Sequence, residues 1–363
     1  MQSIRLLHCT RRSLSRVFPP VSSCSFIIGS RLCRHREPAK RCFSQDLPFS
    51  KEECMMRIRS ILFPTDFSCC ANQAFAEAVH MAKLHGAELC VLHAVVPQED
   101  LSNPLSSPPG TLEFKSHRTI ITDEMKAIVE SQGAHALVIR EEILQDIAVG
   151  PVITEYAKDH DIDLIVMGTH GRRGLGHLFL GSVAEEVVRF SLCPVLTIRE
   201  VQYPKPVASV RNILVPVDFS KHAEQSIGYA KELAVLYGAQ LQLLHIIEDQ
   251  LRPAFYAKGR SSIFEFVPEI EKRSVREIER LLDESGGPDV PSEIHVKEGR
   301  AARDIVRFAD AHNSDLIVIA THGLAGIEHL LLGSVTEKVV RFAAVPVFTV
   351  KVFGKSLVVN TTS

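Results

Sequence analysis

The chain has 363 residues, is 45% hydrophobic and carries a formal net charge of -2. That length suits two ordinary domains, and no apolar run approaches the roughly 20 residues of a membrane helix, so the composition reads as globular with no membrane span. The charge is uneven: residues 1–45 hold nine Lys/Arg against one Glu, a net of +8, leaving about -10 for the remainder, which argues against nucleic acid as a partner.

Residues 1–54 form an N-terminal extension excluded from the fold. "MQSIRLLHCTRRSLSRVF" is rich in Arg and Ser and lacks acids, as mitochondrial presequences do, and "RCFS" at Arg41–Ser44 resembles a processing site. A start at Met55 or Met56, with a spurious extension upstream, reads equally well, because the first strand follows at once. The expected location is cytoplasmic, with the mitochondrial matrix as the alternative if residues 1–43 are a presequence. Nine cysteines, an odd number with no C-x-x-C and five of them before Met55, support neither a disulfide framework nor a zinc site. Cys69, Cys70, Cys90 and Cys193 read as reduced packing thiols, with redox sensing by the Cys69–Cys70 pair a minor alternative.

From Ser60 onward two patterns alternate. Short β-branched runs predict strands at Ser60–Phe63, Glu88–Val95, His135–Arg140, Leu164–Met167 and Val195–Ile198. Helical spacing predicts helices at Ala71–His85, about Ile120–Ser131, Val152–His160 and Val183–Phe190. The strands are continuous apolar runs, as expected of a parallel sheet covered on both faces. Five strands alternating with four helices predict a doubly wound α/β domain, with ligands bound at the carboxyl ends of the strands.

The pattern is then written again. "ILFPTDFS" at Ile61–Ser68 recurs as "ILVPVDFS" at Ile213–Ser220, and "VLHAV" at Val91–Val95 as "LLHII" at Leu243–Ile247, always 152 residues on. From Asp163 to Leu192, 19 of 30 positions match their partners at that offset. A domain-sized period means two tandem copies of one five-stranded, Rossmann-like domain, here bounded at 55–202 and 208–353, with a Pro-containing joint near Arg199–Arg211. Longer stretches after the second strands, "PQEDLSNPLSSPPGTLEFKSH" and "EDQLRPAFYAKGRSS", share no pattern and carry no assigned role.

The chemistry concentrates in "IVMGTHGRRGLGHLFLGSVAEE", Ile165–Glu186, whose five glycines stand at 168, 171, 174, 176 and 181. Glycine lets a backbone approach an anion closely, and the helix start at Gly181–Val183 offers free N–H groups and positive dipole. Ser182 either gives its hydroxyl to a phosphate or caps that helix, with Glu185 completing a capping box. Neither G-x-x-x-x-G-K-[ST] nor a G-x-G-x-x-G after the first strand is present, which excludes P-loop enzymes and dinucleotide dehydrogenases of the usual pattern.

The spacing Gly168-x2-Gly171-x9-Gly181-Ser182 resembles the ATP-binding pattern G-x2-G-x9-G-[ST] of the universal stress protein family. "PTDFS", "LIVMGTHG" and "PVLTIR" are also similar to that family, and the likeness covers about Arg57–Val352. The resemblance implies an adenine-nucleotide α-hydrolase-like fold binding ATP, with Mg²⁺ assisting. By that likeness Asp66 approaches the adenosine, beside Thr65, and Val95 lines the base. Met167 and Gly168 lie beneath ribose and phosphates, and Gly171, Arg172, Gly181, Ser182 and Val183 form the phosphate cradle. For Asp66 a helix cap or Asx turn is an equally weighted reading, compatible with binding. In the second copy Asp218, Gly323, Gly333 and Ser334 keep the pattern, but Ala320 replaces Gly168, and Leu324 and Ala325 replace Arg172 and Arg173. Nucleotide binding is therefore expected to be tighter in the first copy, and weak or absent in the second.

His93 and His245 read as satisfied core residues, and His170 and His322 as weak candidates for polarising a phosphate. No metal-ligand spacing, paired carboxylates or dedicated base is visible, so no catalytic residue is assigned. The first expectation is an ATP-binding stress-response module, with slow hydrolysis at most, acting through a protein partner the sequence does not name. The alternative is a non-catalytic interaction protein whose fifth strands, in "CPVLTIREV" and "VPVFTVKVF", pair within the chain as a pseudo-dimer or between chains as a homodimer. An enzyme such as an adenylyl transferase ranks last, because its HxGH or PP-loop pattern is missing.

Overall fold

The computed structural model describes residues 56–96, 112–171, 180–202, 210–248, 262–321 and 332–351, with Lys355 and Leu357. All of them belong to one compact unit. The first half runs β1 (Ser60–Pro64), α1 (Cys69–His85), β2 (Glu88–Val95), α2 (Leu112–Ser131), β3 (Ile139–Gln145), α3 (Val149–Asp159), β4 (Leu164–Gly168), α4 (Ser182–Phe190) and β5 (Val195–Ile198). The second half runs β6 (Asn212–Pro216), α5 (Lys221–Tyr237), β7 (Gln240–Glu248), α6 (Ile263–Phe266), α7 (Ile270–Glu284), β8 (Ser292–Gly299), α8 (Ala301–Ala311), β9 (Leu316–Ala320), α9 (Ser334–Phe342) and β10 (Val347–Val350).

The strands form one ten-stranded sheet in the order β3-β2-β1-β4-β5-β10-β9-β6-β7-β8. Within each half the neighbours are parallel, and the halves join where β5 and β10 pair antiparallel, with Phe348 opposite Leu196. Each half is thus a doubly wound five-stranded unit, and the fifth strands close the pseudo-dimer within the chain. Thr197 donates its hydroxyl to Val347 O at 3.2 Å, and Thr349 to Val195 O at 3.0 Å, so each buried Thr uses a seam carbonyl of the opposite strand.

Cations lock the same seam. Lys351, just past β10, donates to the last carbonyls of α4, Val188 O and Arg189 O. Arg199, just past β5, donates to Phe342 O at the end of α9 at 2.9 Å. Each half therefore supplies positive charge to the negative end of a helix in the other. Burial pulls the Lys351 ammonium down to about 8.

Alternation along the strands divides the core. Ile61, Phe63, Leu164 and Val166 face α1 and α2 and share one continuous cluster with Ile213, Val215, Leu316 and Val318 beneath α5 and α7. The opposite face holds two clusters, Leu62, Ile165 and Val195 under α3 and α4, and Leu214, Ile317 and Val347 under α8 and α9. Leu332 of the second half is buried in the first half's cluster, and Leu180 packs against both.

Several boundaries differ from the sequence expectation. The third strand is Ile139–Gln145, not His135–Arg140, because it is a sheet edge, where the exposed Arg140 and Glu141 and the half-buried Glu142 are tolerated. The α2 helix begins at Leu112, well inside the stretch read as a loop. The α3 helix begins at Val149, with Gly150 and Pro151 in its first turn, where a missing N–H costs nothing. Most of the two patternless stretches lies outside the described residues.

Candidate functional site

In each half the order of strands reverses direction at β1/β4 or β6/β9, the switch point where doubly wound sheets bind ligands. Two segments meet there in the first half: the turn after β1 and the segment after β4.

The turn Thr65–Ser68 is tightly self-bonded. Thr65 N–H donates to Leu92 O at 2.8 Å, Phe67 N–H to the Thr65 hydroxyl at 3.0 Å, and Ser68 N–H to Asp66 Oδ1 at 3.1 Å. Phe67 takes φ 60°, a left-handed conformation unusual for a bulky residue. His93, near the end of β2, holds it: its Nδ1 bonds Thr65 O at 2.7 Å and its ring lies 4.8 Å from that of Phe67. The bonded carbonyl can only accept, so the Nδ1 of His93 carries the proton. Ser68 is the N-cap of α1, its hydroxyl accepting from Ala71 N–H at 3.2 Å. Asp66 is therefore an Asx-turn residue and not the helix cap.

After β4 the backbone is pinned at both ends of the glycine segment. Thr169 N–H donates to Ile198 O at 2.9 Å, and Gly181 N–H to Thr169 O at 2.8 Å. Gly181 is the N-cap of α4, with no side-chain cap bond, and Ser182 is the first helical residue. This corrects the capping-box expectation: Glu185 pairs with Arg189, and the Ser182 hydroxyl is not spent on the helix. Gly181 has already committed its own N–H, so the N–H groups that this helix start leaves without an intrahelical partner are those of Ser182, Val183 and Ala184. His170 is half-buried and bonds the Thr169 hydroxyl through Nδ1 at 2.8 Å.

The glycines have distinct reasons. A Cβ at Gly171 would stand 2.5 Å from Asp66 Oδ2, so bare backbone there lets the two segments meet. A Cβ at Gly168 would stand 2.8 Å from Cys70 Sγ, 3.1 Å from Cys70 C and 3.2 Å from Ala71 N. The missing methyl of Gly168 thus seats the first turn of α1 on the end of β4, and φ there is not positive. Met167 is buried under α4, and Val95 is half-buried at the end of β2. Arg172 and Gly323 lie outside the described residues, as do Arg173, Gly174, Gly176, His322, Leu324 and Ala325.

The second half repeats the frame. Asp218 Oδ1 accepts from Ser220 N–H at 3.1 Å, Phe219 takes φ 61°, His245 bonds Val217 O at 2.8 Å, and Gly333 N–H donates to Thr321 O at 2.8 Å. Burial lowers the affinity of His245 for a second proton, in keeping with a neutral structural ring. Three details differ. Asp218 Oδ1 also accepts the Ser220 hydroxyl at 2.6 Å, Val217 replaces Thr65, and Thr336 donates its hydroxyl to Ala320 O at 2.7 Å. Ala320 has no positive φ and is buried, and His222 stands at the α5 position that corresponds to Cys70. Ser334 opens α9 as Ser182 opens α4. The His93–Phe67 and His245–Phe219 clamps are what the sequence reading missed; the repeated "DFS" and strand-two histidines were the available signal.

Among the described residues no group of His, Cys, Asp or Glu could hold a metal ion, and no helix is long and apolar enough to cross a membrane. The family model for universal stress proteins matches residues 57–199 and again 209–351, so the chain belongs to the universal stress protein family. It is 28% identical over 297 residues to universal stress protein Rv2623 of Mycobacterium tuberculosis, covering 80% of this chain and 96% of that protein. Universal stress protein Rv2005c of the same organism is 27% identical over 274 residues, covering 74% and 89%. A crystal structure of a universal stress protein from Archaeoglobus fulgidus matches the fold with a TM-score of 0.58 at 21% identity, over 80% of this chain and 98% of that one.

Proposed function

We propose that the first half binds ATP and that the chain acts as a nucleotide-dependent stress-response module. The observation that carries this reading is the meeting of the Asp66 turn with the bare backbone of Gly171 beside the start of α4. There the Ser182 and Val183 N–H groups and the Ser182 hydroxyl supply anion donors, and Thr65, Asp66 and Val95 border the adenosine side. Arg172 adds positive charge, and Mg²⁺ would accompany the phosphates. Bound nucleotide would bias the segment between Gly171 and Gly181 and, through it, a protein partner. Because no general base is assigned among the described residues, the expected hydrolysis is slow at most. The second half, with Asp218, Gly323, Gly333 and Ser334 but without the two arginines, binds weakly or not at all.

The test is nucleotide content and ATP affinity of purified protein, with and without Gly171→Val, whose side chain would displace the Asp66 carboxylate. Co-purifying nucleotide and micromolar-range affinity lost in the variant support the reading. Protein without nucleotide and without affinity overturns it. It would leave the second reading, an interaction scaffold with vestigial sites, which the β5–β10 seam favours.

A further inference from the structure

Gly181 and Gly333 each stand at the start of a helix, and each is preceded by a leucine, Leu180 or Leu332, 152 positions apart. The same backbone bond anchors both leucines, since Gly181 N–H donates to Thr169 O and Gly333 N–H to Thr321 O, each at 2.8 Å. Two self-sufficient domains would bury each leucine in its own half. Here Leu332 is buried in the first half's cluster with Met167, Ala184, Val187 and Val195, and is its one second-half member among the described residues. It takes no part in the second half's own cluster beneath α8 and α9. Leu180 is half-buried and packs against both clusters. The exchange is therefore unequal: the second half gives a fully committed side chain and receives a shared one.

The cluster that Leu332 completes also carries the start of α4. Ala184 is buried in it and Val183 packs against it. These two residues, with Ser182, hold the N–H groups that α4 leaves without an intrahelical partner; the first bonded amide is that of Glu185, which donates to Gly181 O at 2.9 Å. Ser182 is exposed, so its side chain does not anchor the turn. The direction of the three free N–H groups is set by the side chains of Val183 and Ala184 and by what is packed with them. Shortening a buried leucine in such a cluster leaves a cavity into which its neighbours partly relax.

We propose that Leu332 is a positioning residue for the phosphate-binding start of α4, a role that rests on the ATP reading of that site. The second half thus serves the first half's nucleotide whatever its own affinity. Without the Leu332 side chain the N–H groups of Ser182, Val183 and Ala184 lose their fixed arrangement, and an anion that must gather its donors binds less tightly than one that finds them in place.

The test pairs amide hydrogen exchange of the nucleotide-free full chain with ATP affinity measured by calorimetry. Leu332→Ala should lower the protection of the Glu185 and Glu186 amides about tenfold and weaken ATP binding about tenfold. Leu332→Met, which refills the space, should restore both. Ile305→Ala, a truncation of equal size in the second half's own cluster, should leave the α4 amides and the ATP affinity at parent values. Unchanged α4 protection in Leu332→Ala overturns the proposal, as does protection lost with ATP affinity intact. An equal loss at α4 in Ile305→Ala overturns it too, because the effect would then be general destabilisation. A parent chain without ATP affinity overturns the proposed function instead; the exchange measurement needs no nucleotide and still decides whether Leu332 holds the start of α4.

Discussion

Replacing Gly168 by alanine tests whether that glycine serves the ligand or the fold. The added Cβ would meet Cys70 Sγ at 2.8 Å and two backbone atoms of the α1 first turn at 3.1 and 3.2 Å. A thiol can rotate, but a capped helix start cannot move without disturbing Ser68 and the Asp66 turn. Overpacking of this kind costs about 1–3 kcal/mol, while removing a strand glycine returns roughly 0.5–1 kcal/mol. The expected net loss is about 1–2 kcal/mol in urea unfolding. Cys70→Ala alone should lose about 1 kcal/mol for the buried sulfur. In the double variant the Gly168→Ala penalty should shrink by at least about 0.5 kcal/mol, because the nearest clash is gone. A Gly168→Ala protein as stable as the parent, or a double variant whose losses simply add, would refute the seating argument. It would return Gly168 to the ligand.

Thr349→Val leaves the β5 carbonyl of Val195 without its hydroxyl donor, and should lower stability by about 1 kcal/mol, read from the denaturant midpoint. Lys351→Met strips two carbonyls at the end of α4 of their donor, with an expected loss of about 1–3 kcal/mol. The lysine has a folded value near 8 against 10.5 in the open chain, so the unfolded state binds more protons in between and stability rises with pH across that window. The difference between parent and Lys351→Met should carry that slope, and parallel pH profiles would count against it. Glu77 has the opposite sign: raised from 4.5 to about 7, its folded form holds the proton longer, so its contribution falls as pH climbs from 4.5 to 7. Glu77→Gln should remove that fall, while the counter-trend from His85, lowered by burial to about 4, persists in both proteins.

The fold was legible because two signals repeat. The offset of 152 residues fixed the duplication, and β-branched runs placed four of the five first-half strands closely; the interior strands β1 and β4 are buried on both faces and so read as unbroken apolar runs. The edge strand β3 was misplaced for the converse reason, since Arg140, Glu141 and Glu142 interrupt its hydrophobicity where one side faces water. For the candidate site the sequence supplied candidate residues but not their commitments. Spacing alone could not show that Gly181 had spent its N–H on Thr169, that Ser68 and not Asp66 caps α1, or that the Cβ missing at Gly168 points into a helix. Each depends on a neighbour far away in sequence. The exchange of Leu332 into the first half's core and the lock of Lys351 on α4 are likewise contacts between halves, which a pattern read along one half does not contain.

The antiparallel seam changes how the two sites can evolve. In an assembly of two identical chains, any change near a glycine segment appears twice, and the interface forms only at sufficient concentration. Here the partner surface is tethered, so dilution cannot remove it. Each seam contact can also be altered on one side alone. Val217, His222 and Ala320 stand where the first half has Thr65, Cys70 and Gly168, in a frame that the intact first half continues to support. Covalent linkage has given this molecule the freedom of a heterodimer in a single gene product.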